Sequence, residues 1–251
     1  MSVRSQTTFI LLVLFALEAA GSVSATESEV TLDQDKAVKG GITPNDGPGF
    51  PITITQPGRY VLTSNLYPSA TETGIEIKVH DVTIDFNGFR LHGSGQAVDG
   101  IRGDTADTAM IVNGVIAGFN GIAINGRNFW VVENMRVLAN QNGIKLGDFA
   151  RVQRSTATIN QGYGIRCEDG CLVEGSVISR NFDGVVIQSG TVLGNTITHN
   201  QEFGIVSNST AAAVGFGNNT VWFNNATGYG GSHDQVKRAI KLQPNACSPA
   251  C

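Results

Sequence analysis

From Gly74 onward, apolar and polar residues alternate in short bursts that keep restarting at a glycine. Examples are Gly74-Ile75-Glu76-Ile77, Gly121-Ile122-Ala123-Ile124, Gly143-Ile144-Lys145-Leu146 and Gly184-Val185-Val186-Ile187. A two-residue period marks a strand with one buried face, so each burst predicts a strand. Some eight to ten residues later comes a second apolar-centred run, as in "VTIDFNG", "WVVEN", "ARVQR" and "CLVEG". A third short run follows, as in "MRVLANQ", "SVISRNF" and "TITHNQE". The glycines that precede Ile or Val are Gly74, Gly100, Gly121, Gly143, Gly164, Gly184 and Gly204, spaced 26, 21, 22, 21, 20 and 20, with a weaker eighth start near Gly228.

Three short strands in about 21 residues leave no room for a crossover helix, so an ordinary parallel sheet is excluded. A coil that stacks on itself satisfies the pattern: equivalent residues lie ~4.8 Å apart along the stack, and the Ile, Val and Leu positions form internal ladders. Asparagines recur at matching places. Asn87, Asn113, Asn134 and Asn195 are expected at one corner, and Asn140, Asn160, Asn181, Asn200 and Asn224 near a second. Asparagine tolerates left-handed backbone and bonds neighbouring main chain, so both sets are read as structural.

Over roughly Ile52 to Asn225 these repeats resemble the right-handed parallel β-helix proteins, the pectate-lyase-like superfamily that includes polygalacturonases and alginate-modifying enzymes. The expected fold is an all-β, right-handed, single-stranded parallel β-helix solenoid of about eight coils. The expected organisation is a signal peptide over 1–25, an N-terminal cap over 26–49, the β-helix over 50–229 and a C-terminal cap with a Cys pair over 230–251. "FPITITQPGRYVLTSNLYPS" is the expected opening coil, and "SHDQVKRAIKL" a short helix or a last strand. No specific enzyme family is matched. The chain lacks the Asn-Thr-Asp and Gly-His-Gly segments of polygalacturonases, the Arg-x-Pro-x-x-Arg element of pectate lyases and the Asp-Pro-His-Glu element of mannuronan epimerases.

The N-terminus changes the cellular picture. Arg4, an apolar run from Phe9 to Leu17, and Val23-Ser24-Ala25 read as a cleavable leader cut after Ala25, too short to span a bilayer. The expectation is a secreted or periplasmic monomer with no membrane span. Net charge is −4 with or without the leader, which argues against non-specific nucleic-acid binding. An oxidising destination makes Cys167, Cys171, Cys247 and Cys251 disulfide candidates, in any of three connectivities. The Cys-x3-Cys pairs have no histidine beside them, so no metal is expected there.

Aligning the repeats on their glycines makes an outward column of Glu76, Arg102, Ala123, Lys145, Arg166, Val186 and Val206. Neighbouring cations such as Lys145 and Arg166 repel unless carboxylates or a bound anion offset them. Glu76, Arg102, Lys145 and Arg166 are therefore the candidate substrate-binding residues, and the expected partner is an acidic polysaccharide or cell-surface glycan, bound and in one version also processed. The alternative is a solvated face on a non-catalytic structural or surface-interaction solenoid, with Asp148, Glu168 and Asp169 neutralising the cations. A second column, Asp85, Val112, Glu133, Gln153 and Glu174, spaces its carboxylates too widely for a catalytic pair. No catalytic residue is assigned. No cofactor is expected, since "GDTADT" and "CEDG", the two segments that could attract calcium, are incomplete calcium loops.

Overall fold

The computed structural model describes residues 29–69, 71–209, 214–225, 234–242 and 244–248. They form an all-β parallel solenoid of about eight turns with about 3% helix. Three rows of strands make up its wall. The first row is a nine-stranded parallel sheet: Ile52–Ile54, Ile75–Ile77, Ile101–Arg102, Ile122–Asn125, Asn142–Leu146, Ile165–Cys167, Val185–Ile187, Ile205–Ser207 and Val236–Lys237. The other two rows merge into one sheet, because Ala109–Ala117 and Val131–Leu138 run unbroken around the corner between them.

Register follows the hydrophobic alternation. Ile52, Ile75, Ile101, Ile124, Ile144, Ile165, Val185 and Ile205 stack in one inward column, each essentially without solvent contact. Burying such side chains contributes about 1.5–3 kcal/mol each, the main stabilising term available to a fold with no helix layer. The repeat glycines precede this column because adjacent coils approach closely there: a Cβ on Gly143 would fall on the carbonyl oxygen of Gly164.

Two positions of the repeat depart from the sequence reading. Ile124, not Ile122, pairs with both Ile101 and Ile144, so Ala123 stands in the glycine column and Gly121 lies two residues ahead of it. A shift of two keeps every side chain on its own face, and the alternation of Ile122 and Ile124 therefore could not fix the register. Gly228 lies outside the described residues, and the next strand of the first row is Val236–Lys237. With Ile240–Lys241 and Ala246–Ser248, it adds a further set of registered strands from "SHDQVKRAIKL" onward. At the opposite end Val30–Leu32 pairs with Tyr60–Leu62, and a six-residue helix, Gln34–Lys39, capped by Asp33, buries Ala37.

The asparagines divide into three columns. Asn87, Asn113 and Asn134 hold left-handed corners at φ of 49°, 62° and 53° and face solvent. Asn195 does not join them. It sits one residue further on, buried in a ladder with Asn219 and Asn245 that Ser155 and Ser176 begin. The other ladder runs Asn140, Asn160, Asn181, Asn200 and Asn224, then ends on Gln235. Each side-chain oxygen takes the backbone N–H and the amide of the coil before it, which satisfies polar groups buried at a bend.

Trp130 is the largest side chain in the interior. Its Nε1 donates to the Ala106 carbonyl at 2.7 Å, and the ring occupies the space that side chains at Gly103 and Gly126 would need. Of the rings beside the glycine corners, Phe119 and Phe203 are buried and Tyr163 and Phe182 partly so. Cys167 and Cys171 form a disulfide across one turn, with Cα atoms 6.1 Å apart. Cys247 is also disulfide-bonded, while Cys251 lies outside the described residues.

Candidate functional site

The outward column of the nine-stranded sheet is Thr53, Glu76, Arg102, Asn125, Lys145, Arg166, Val186, Val206 and Lys237. All four candidate residues are therefore in one file, with Asn125 in the place expected for Ala123. Lys145 and Arg166 are direct register partners, and Arg102 stands two rungs earlier than Lys145.

Electrostatics divides the file. Glu76 meets Lys78 at 3.0 Å and Arg102 at 3.2 Å, and Arg102 also lies 3.5 Å from Asp104. Burial raises the Glu76 carboxyl, but these two cations outweigh it and hold the group below the usual range. Arg166 meets Glu168 at 3.6 Å. Lys145 has no carboxylate within ion-pair distance among the described residues. The Nε atoms of Arg102 and Arg166 are buried and have no hydrogen-bond acceptor there. The ion pairs thus reduce the basic strip to a local surplus at Lys145, with Arg166 beside it partly neutralised by Glu168.

Sequence reasoning missed the residues just before the repeat glycines as a source of chemistry. Burial pushes the Tyr163 hydroxyl up to about 12 despite the Arg166 charge, with Asp99 and Glu168 adding to the rise. Asp183 is raised by burial, although its carboxylate accepts from the Phe203 N–H and feels Lys237. Glu202 is raised by burial and by the Asp183 charge. Lys237 also lies over the Phe203 ring at 4.8 Å. A search of the position preceding each glycine would have gathered Asp99, Tyr163 and Asp183 from the sequence.

The second carboxylate column forms in the expected register, Asp85, Val112, Glu133, Gln153 and Glu174. Its members serve as surface partners: Asp85 binds Arg59 at 2.7 Å, Glu133 pairs with Arg154, and Glu174 accepts from Gln153. Among the described residues no three His, Cys, Asp or Glu side chains converge as a metal site. Among these residues no helix is long and apolar enough to cross a membrane.

Comparison with protein-family models, curated proteins and solved structures gives no match for this chain.

Proposed function

We propose that this chain is an exported, monomeric solenoid that binds an acidic polysaccharide along its nine-stranded face. The observation that carries this reading is the pairing of Lys145 with Arg166 on adjacent strands, where Lys145 has no carboxylate partner. Two cations at strand spacing repel, and an anionic ligand turns that repulsion into attraction. Uronate carboxylates suit the task, since a pyranose chain laid along the stack advances by about one ring per ~4.8 Å rung.

A catalytic version gains no support from the Tyr163 hydroxyl: it lies near Arg166 at the edge of the same strip, but burial pushes it up to about 12, away from neutral pH, which makes it a weaker proton donor than an ordinary tyrosine. Both versions are tested together by affinity electrophoresis on pectate, alginate and glycosaminoglycans, with unsaturated uronate absorbance and reducing ends followed in parallel. Retention is expected to fall at least tenfold in the Lys145→Ala, Arg166→Ala variant and to weaken with salt. Unchanged retention removes the site, whereas retention without turnover leaves binding as the whole function.

A further inference from the structure

The second row of strands carries a concavity unrelated to the basic strip. Its floor is the outward column Arg59, Thr83, Met110 and Val131, four register partners on consecutive parallel strands. Its wall is the adjoining corner, where Asp81, Thr108 and Phe129 all adopt left-handed backbone at φ of 59°, 56° and 60°. The groove is open to solvent, its volume is about 720 Å³, and three rung spacings of ~4.8 Å give it a length of ~14 Å along the stack.

The cation inside this groove is already paired. Arg59 is held between Glu29 at 3.2 Å and Asp85 at 2.7 Å. Asp81 accepts from the Thr108 hydroxyl at 2.7 Å, leaving its second oxygen available. The Thr83 hydroxyl has no partner among the described residues. An anionic ligand therefore finds no unpaired cation, whereas a hydroxylated one finds the Asp81 carboxylate as an acceptor and the Thr83 hydroxyl.

The aromatic wall supplies the apolar half. Phe129 is 51% exposed and Phe149, one coil on, is 58% exposed, and the rings stack with centroids 5.5 Å apart and 11° between planes. Bulky residues seldom occupy left-handed backbone, and here both do so without the compensation of burial. Together with Met110 and Val131 they offer flat apolar surface beside hydrogen-bonding groups, the combination that receives the two faces of a sugar ring.

We infer that this groove is a separate site for a neutral, extended oligosaccharide of about three rings, with C–H faces on Phe129 and hydroxyls bonded to Asp81 and Thr83. The inference is independent of the acidic-glycan reading, since the two sites use different sheets and different chemistry. Affinity electrophoresis of the full chain through gels containing glucan, xylan or mannan tests it. Retardation is expected on at least one of these polymers and should drop at least tenfold in Phe129→Ala and in Thr83→Val, while retention on pectate stays unchanged in both. Two results overturn the proposal: migration of the wild type unaffected by all three polymers, or retardation that both variants retain. Capture of an apolar extended peptide by the groove, competing with no glycan, overturns it as well.

Discussion

Two columns run side by side along the same solenoid and differ in almost every respect. The Asn140 to Asn224 column is buried and repeats one residue type five times. The Glu76 to Lys237 column is partly exposed and changes character at nearly every rung. The buried side chains bond to copies of themselves, so any change strands a neighbour's amide. The exposed ones meet water or a ligand, so each is free to differ. Repetition reports what the coil needs, and irregularity within a repeat is where function is to be sought.

The most severe way to break the comparison is Asn181→Leu. It removes the acceptor of the Asn160 N–H and amide and the donor to Ala157, all buried. A loss of about 2–4 kcal/mol in urea unfolding is expected, and a loss under about 1 kcal/mol would show that the ladder is no more demanding than the surface.

Asp183 gives a smaller, pH-dependent effect. Its folded carboxyl titrates above the ordinary value of 3.8, and Glu202 above 4.5, so the folded state binds more protons than the unfolded one in that range. Their contribution is fully present below the unfolded values and declines as pH rises through the folded ones. Asp183→Asn should therefore raise the melting temperature at neutral pH, with the advantage shrinking toward pH 4. An advantage that does not vary with pH would place the cause elsewhere.

The mildest change belongs to the exposed file: Lys145→Ala should alter stability by no more than about 0.5 kcal/mol while lowering retention on pectate. A stability cost several times larger would mean that this column too is structural.

Much of the fold is legible in the residues themselves. The Gly-Ile alternation places the strands, and the partners Ile144 with Ile165 and Lys145 with Arg166 follow from spacing alone. Failure is confined to places where local pattern is degenerate. Gly121 and Ala123 are both followed by Ile, and a two-residue slip costs the pattern nothing, so Asn125 was overlooked as a member of the outward file. Asn195 looks like Asn134 in sequence, yet one residue separates an exposed corner from a buried ladder. The candidate site was legible as a column, and so was Glu168 as a neutralising partner of Arg166, but the pairing of Arg102 with Glu76 was not, because it depends on side-chain reach between coils. The groove along Arg59, Thr83, Met110 and Val131 left even less trace, since Phe129 and Phe149 carry no motif and stand out only through the corner that turns them outward.

Trp130 shows how such a chain limits its own revision. The indole fits because Gly103 on one neighbouring strand end and Gly126 just before it leave their places empty. Either glycine replaced first collides with the ring, while the ring replaced first opens a void but tolerates a later alanine at either site. The order of substitutions therefore matters. A lineage leaving this arrangement must shrink the tryptophan before filling the glycines, so three positions on two successive coils change as one unit of descent.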